Sequence, residues 1–221
     1  MNSRANRALT DAVHLRISAI QPEPHIDDAR AELERFLIEH AYTYDEKGFE
    51  LASGGRSNEY IDCKRALCYP DALHACGEVV SALLGSNVEA VGGLTMGADP
   101  IATATALSSR EAGKRGVRTP VRWFSVRKAA KGHGTKRPIE GNLPAGSRVA
   151  VVDDVVTKGS STLEAVMRCR EAGHEVVQVV VLVDREQGGV EHIAAELPGV
   201  PIERVFTKRE LHDGWKAKHG A

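Results

Sequence analysis

One uninterrupted run constrains this chain more than any other: Val149-Ala-Val-Val-Asp153-Asp154-Val-Val-Thr157-Lys158-Gly159-Ser160-Ser161-Thr162. The apolar residues that follow Arg148 predict a strand buried on both faces, as in the middle of a parallel sheet. Its C-terminal end, at Asp153, delivers two adjacent carboxylates. A short Thr/Gly/Ser loop follows, and then a helix marked by Leu163, Val166, Met167 and Arg170 and closed by Gly173. Ligands of open parallel sheets bind beyond the carboxyl ends of the strands. The free N–H groups at a helix N-terminus favour a phosphate there. Gly159 lets the backbone come close, and the hydroxyls of Thr157, Ser160 and Ser161 add donors. The two aspartates suit ribose hydroxyls, or a magnesium ion reached directly or through water. A plainer account is a capped helix after an ordinary strand, with Ser161 and Glu164 as a capping box. That explains those two residues and leaves both carboxylates unexplained. The spacing is not that of a Walker loop, and the glycines from Gly92 to Gly97 do not match a dinucleotide fingerprint.

The rest of the chain alternates around this run. Ile26, Ala29, Leu33, Phe36 and Leu37 predict an amphipathic helix over Asp27–Tyr42. Phe49–Asp62 reads as a hairpin with a Ser-Gly-Gly turn. Leu73, Gly77, Val80 and Leu84 mark a helix that stops at Gly85. Strands are expected at Ala90–Gly93, Arg122–Val126 and Val176–Val183, with a helix over Pro100–Arg110. Strands alternating with helices predict a parallel sheet covered on both faces. Residues 1–25 are expected to be an extension, and 26–221 one domain.

Composition narrows the function. Lys plus Arg is 29 and Asp plus Glu 30, so no net charge favours a nucleic-acid or membrane partner. No apolar run is long enough to span a bilayer, and the first ten residues do not read as a secretory signal. Cys63, Cys68, Cys76 and Cys169 form no Cys-x-x-Cys pair, so mostly buried free thiols in a reducing, cytoplasmic compartment are expected rather than zinc. His14, His25, His40, His74 and His219 fall in no motif and read as surface or core histidines, Trp123 and Phe124 read as packing, and the role of Trp215 and the Lys/His-rich C-terminus stays open.

One segment stands apart, Arg127-Lys128-Ala-Ala-Lys131-Gly-His133-Gly-Thr-Lys-Arg-Pro138. It is basic, glycine-containing and without apolar periodicity, which predicts a long exposed loop. With it the motifs line up. Val151–Thr162 resembles the phosphoribosyl-pyrophosphate motif of type I phosphoribosyltransferases. Phe49-Glu-Leu-Ala-Ser-Gly, Tyr60-Ile-Asp, Gly92-Gly-Leu-Thr-Met-Gly-Ala-Asp-Pro100, the basic loop and Val183-Asp-Arg185-Glu-Gln-Gly-Gly are similar, in order, to the orotate phosphoribosyltransferase family.

The resemblance implies an α/β, type I phosphoribosyltransferase fold. Its parallel-sheet core is flanked by helices, and a small hood is built partly from N-terminal elements. It implies transfer of the phosphoribosyl group from phosphoribosyl pyrophosphate to orotate, giving orotidine 5′-monophosphate and pyrophosphate, a step toward UMP. It implies Mg2+, and a homodimer that shares the basic loop. Arg127, Lys128, Lys131 and His133 would then surround the pyrophosphate, with Lys131 and His133 catalytic. Thr157, Lys158, Gly159, Ser160 and Ser161 would hold the 5′-phosphate, Asp153 and Asp154 the ribose, and Arg185 the orotate. Arg185 read by itself suits a strand-end ion pair with Asp184 or Glu186 equally well. The chain departs from the family at Ala52 and Gly97, where many members carry lysine; Arg56 lies a turn from Ala52. The competing functions are transfer to a purine or other base, and a non-catalytic sensor of the donor. A sensor would be expected to carry a nucleic-acid-binding module, for which residues 1–25 are too few.

Overall fold

The apolar runs assemble into one sheet whose two faces are both covered. This computed structural model describes residues 24–50, 56–128 and 138–220. Helix α1 (Pro24–Phe36) ends in a π turn (Leu37–Ala41), and the hairpin β1 (Tyr42–Glu50) and β2 (Arg56–Ile61) follows. The short helix α2 (Lys64–Leu67) and helix α3 (Pro70–Leu83) lead into the alternating part. That part runs β3 (Ala90–Leu94), α4 (Ala98–Lys114), β4 (Arg122–Val126), β5 (Ile139–Glu140), β6 (Arg148–Val156), α5 (Ser160–Glu171) and β7 (Glu175–Asp184). Helix α6 (Gly189–Glu196), β8 (Ile202–Thr207) and α7 (Lys208–His219) complete it. The six-stranded order is β5-β4-β3-β6-β7-β8. Every pairing in it is parallel except β4 with β5.

Strand alternation divides the core. Val149 and Val151 of β6 pack with Phe124, Val179 and Val181 under α5 and α6. Ala150 and Val152 pack with Val91, Val180 and Leu182 under α1, α3 and α4. β3 carries two glycines because its neighbours fill the space. A Cβ on Gly92 would stand 2.3 Å from the Phe124 carbonyl oxygen, and one on Gly93 2.0 Å from that of Val152.

The strand order reverses direction at β3. From β3 the chain passes through α4 to β4 on one side, and from β6 through α5 to β7 on the other. The carboxyl ends of β3 and β6 therefore flank a topological switch point, where open α/β sheets bind ligands. β6 pairs with β3 only as far as Val151, yet pairs with β7 to Val156. The strands part just before Asp153.

The hairpin lies outside this sheet, held by the C-terminal helix. Tyr42 Oη donates to Glu59 Oε1 at 2.7 Å, and Lys208 Nζ lies 2.8 Å from Glu59 Oε2. Trp215 packs against Tyr44, ring centroids 5.3 Å apart. Arg30 of α1 stacks over Phe206 and pairs with Glu210 at 2.7 Å. The C-terminus left open by the sequence is thus a helix packed on its own hood.

Several expectations shift. α1 begins at Pro24, and the hairpin's first arm begins at Tyr42, not Phe49. Asp45, Glu46 and Lys47 masked that strand, which is interrupted by a register shift between Tyr44 and Phe49. β6 runs past Asp153 to Val156, so both carboxylates lie inside the strand. The Ser161–Glu164 capping box does not form. Gly159 is the N-cap, at φ +79°, and Glu164 pairs instead with Arg168. A capping box exists at Thr207 and Glu210 of α7. The Ser-Gly-Gly turn with Ala52, and the extension as far as residue 23, lie outside the described residues. Among the described residues no helix is long and apolar enough to cross a membrane.

The contact of β3 on β6 leaves no room for a methyl group. Gly93→Ala is expected to destabilise the fold by about 2–3 kcal/mol, as overpacking does. A urea midpoint lowered with unchanged slope would show it, and an unchanged midpoint would refute the packing argument.

Candidate active site

The crevice between β3 and β6 is built by three loops that touch through glycine. The first is the turn from β6 into α5. Gly159 adopts the left-handed conformation and caps α5 without any side chain. The first-turn N–H groups of a helix have no acceptor within it. Here no side-chain cap takes them up, and the first turn holds no acidic residue that would repel an anion. Ser160 and Ser161 are exposed beside these donors, Lys158 is exposed, and Thr157 is half-buried.

The carboxylates behind this turn differ in setting. Asp153 is 7% exposed and accepts from Thr162 Oγ1 at 2.6 Å and from the Asp154 amide at 3.1 Å. Burial pushes its carboxyl up to about 6, with the Asp154 charge adding to the rise and Thr162 opposing it. Asp154 faces the other loops, its Oδ2 3.7 Å from Lys64 Nζ. Lys64 also binds Asp62 at 2.6 Å, and those two carboxylates hold its ammonium above the usual lysine range against the effect of burial. Nothing in the local pattern around Lys64 singled it out. Only the turn from the hairpin into α2 brings it to Asp154.

The second loop leaves β3. Thr95 Oγ1 donates to Asp99 Oδ2 at 2.6 Å, which ties the loop to the first turn of α4. A Cβ on Gly97 would come 2.3 Å from Asp154 Oδ1. A lysine at this position would have to displace that carboxylate, which gives a physical reason for the glycine.

The third loop, after β7, carries Arg185. Its amide donates to the Val156 carbonyl at 2.9 Å, extending the β6–β7 ladder into the loop. Gly189 then packs on the phosphate-side turn. A Cβ on it would lie 2.6 Å from the Thr157 carbonyl oxygen, and one on Gly159 2.8 Å from that of Gly189. His192 Nδ1 adds a bond to the Lys158 carbonyl at 2.9 Å. The strand-end ion pair does not form: Asp184 pairs with Arg204 and Glu186 with Arg209. Arg185 Nε is buried without an acceptor among the described residues.

At the basic loop only the ends are described. The Arg127 amide donates to the Pro138 carbonyl at 2.9 Å, its guanidinium pairs with Glu140, and the Lys128 carbonyl accepts from Arg168 at 3.2 Å. Lys131 and His133 lie outside the described residues. Arg56, a turn from Ala52, bonds to the Lys47 carbonyl across the hairpin. Cys63, Cys76 and Cys169 are buried free thiols, and Cys68 is exposed.

A helix N-terminus open to an anion, two acids behind it and, among the described residues, a guanidinium without a partner come together at the switch point of the sheet. The family model for the phosphoribosyl transferase domain matches residues 82–210. The chain is 47% identical over 168 residues to the orotate phosphoribosyltransferase of Aquifex aeolicus (strain VF5), spanning 76% of this chain and 88% of that one. The structure of the Mycobacterium tuberculosis H37Rv orotate phosphoribosyltransferase in complex with Fe(III) dicitrate superposes with a TM-score of 0.69 at 36% identity, covering 83% of this chain and 98% of that one. The same enzyme in complex with 5-phospho-alpha-D-ribosyl 1-diphosphate gives 0.64 at 32%, covering 83% and 92%. The fold is that of the type I phosphoribosyltransferases. Within that class, the chain belongs to the orotate phosphoribosyltransferase family.

Asp153 has a consequence for stability. A carboxyl raised to about 6 in the folded chain, against an ordinary 3.8, opposes folding when charged. Its cost is absent below about pH 4 and complete above about pH 7. Without magnesium, Asp153→Asn is expected to melt higher than the wild type at pH 8, by up to roughly 1–3 kcal/mol, because the Thr162 hydroxyl can turn to accept from the amide. The difference should vanish near pH 4 in thermal melts; a variant less stable at pH 8 contradicts the buried-charge account.

Proposed function

We propose that the chain transfers the 5-phosphoribosyl group from phosphoribosyl pyrophosphate to orotate, releasing pyrophosphate and forming orotidine 5′-monophosphate in pyrimidine synthesis. One observation carries the reading. The N-terminus of α5, capped by no side chain, and the Arg185 loop meet through Gly159 and Gly189 beside Asp153 and Asp154, so donor and acceptor groups have adjacent places. The free amides of Ser160 and Ser161, with Thr157, Lys158 and Gly159, would hold the 5′-phosphate. Asp153 and Asp154 would hold the ribose hydroxyls. Arg185 suits the planar carboxylate of orotate, to which a guanidinium fork binds in two places.

Breaking the bond to pyrophosphate leaves positive charge on the sugar and negative charge on the leaving group. Fixed cations aimed at that charge lower the barrier. Lys131 and His133 would supply them, with Lys128 and Arg127. Arg127 starts from an ion pair with the half-exposed Glu140, a weak hold easily exchanged. In the proposed reaction, cover from this basic segment would exclude water from the sugar cation.

Among the described residues no cluster of three or more His, Cys, Asp or Glu could cage a metal. Magnesium usually binds through one or two carboxylates, substrate phosphates and water. Asp154, with Asp153 behind it, offers the hard oxygens for that, so the residues fit a magnesium ion carried in with the donor. Bound there, the ion would spread the charge of the pyrophosphate. The catalytic unit is taken as residues 26–221, with 1–25 as an appendage. The exposed Met96 and Trp123 suit an apolar contact with a second copy, and a homodimer that shares the basic loop is the assembly proposed. Buried free thiols and the reaction itself favour the cytoplasm.

Ultraviolet absorbance should show orotate consumed only when both the donor and magnesium are present, while adenine, guanine and hypoxanthine are left unused. Consumption of a purine instead would overturn the base assignment. Lys131→Ala should lower turnover roughly 10²–10³-fold with folding intact, as loss of one preorganised charge does. In a homodimer with a shared loop, mixing Lys131→Ala chains with Asp153→Asn/Asp154→Asn chains should recover about a quarter of the wild-type rate. No recovery in mixtures shown to exchange subunits would refute the shared site.

A further inference from the structure

Arg185 lies between two carboxylates in sequence and binds neither. Asp184 is 1% exposed. One of its oxygens lies 3.0 Å from Arg204 Nη1, and the other accepts from the Glu186 amide at 2.8 Å. Glu186 is engaged by Arg209, through the guanidinium at 3.2 Å and the amide at 3.1 Å. An arginine next to a carboxylate ordinarily forms a forked pair with it. Here the neighbours are divided between two other arginines, Arg204 and Arg209, and among the described residues Arg185 makes no side-chain hydrogen bond or ion pair. Its Nε is nonetheless buried. Among the described residues the guanidinium thus has no counter-charge in contact, although part of it is buried.

The two diversions are not equal. Arg209 is three-quarters exposed, so its pair is screened by solvent. The Arg204–Asp184 pair has a fully buried carboxylate and joins the last residue of β7 to the middle of the adjacent strand β8. Removing Arg204 would leave that carboxylate buried and uncompensated. The cation next to it in sequence is Arg185.

We propose that Arg204 is a positioning residue for the nucleobase: by holding Asp184 against β8, it keeps that carboxylate from neutralising Arg185, whose charge then serves the carboxylate of the incoming base. This rests on the reading of Arg185 as the orotate ligand. Arg204 itself touches no substrate. Its effect belongs to orotate affinity and not to the donor, whose phosphate lies on α5.

Steady-state kinetics of the full chain, with orotate and phosphoribosyl pyrophosphate varied separately, test this. Arg204→Met should raise KM for orotate about tenfold or more while KM for the donor stays within about twofold. Asp184→Asn added to Arg204→Met removes the stray charge, retains the bond from the Glu186 amide, and should return KM for orotate to within about threefold of wild type. Arg204→Lys, which keeps a cation, should lie between. An unchanged KM for orotate in Arg204→Met, an equal rise for both substrates, or no rescue by Asp184→Asn overturns the proposal. Should Arg204→Met fail to fold, the double variant decides alone: near-wild-type KM for orotate supports the proposal and a tenfold rise refutes it. A wild-type chain that does not turn over orotate would instead sink the underlying reading, and the inference with it.

Discussion

Everything in the site depends on the parting of β3 from β6. The two strands pair through Val151 and then separate, while β6 stays paired with β7 to its end. A parallel sheet that stayed closed would shut Asp154 in against neighbouring backbone, as Asp153 already is, at a further desolvation cost. Because the strands diverge, Asp154 stays open toward the neighbouring loops while Asp153 lies buried behind it on Thr162. The glycines of β3 sharpen the effect. They let β3 press against β6 and β4 up to the point of separation, so the opening begins abruptly.

The electrostatics follow from that opening. The inner acid, Asp153, is held by Thr162 at the root of the phosphate turn, and the outer one, Asp154, faces Lys64 and the loop from β3. Opposite them lie helix N–H groups and an arginine that has no partner among the described residues. A substrate with a phosphate at one end, hydroxyls in the middle and an anionic leaving group matches this order of charges. The hood closes the arrangement from the side of α7, through Glu59 and Lys208.

Much of this was legible in the sequence. The strands β3, β4, β6 and β7 declare themselves through apolar runs, and the turn after β6 through its two acids and Gly159. What the sequence hid has physical causes. β1 is disguised by a charged stretch at its bulge. α6 is eight residues behind two glycines, too short for a periodic pattern to stand out. β8 and α7 are rich in charged residues, and α7 buries mainly Leu211 and part of Trp215. The capping pattern of Ser or Thr followed three residues later by Glu precedes or opens a helix at Ser161 and at Thr207. Of these two, only Thr207 forms a box, because a glycine takes the N-cap of α5. Lys64, and the division of Asp184 and Glu186 between Arg204 and Arg209, are tertiary facts that spacing along the chain does not encode.

With a glycine N-cap and no side chain closing its first turn, α5 would, in the proposed reaction, be a helix finished by its ligand. A 5′-phosphate held there would complete the first turn, so the bound substrate would become part of the secondary structure and recognition would double as local ordering. A molecule lacking the 5′-phosphate would then forfeit more than a few hydrogen bonds: it would leave the first turn of α5 unfinished.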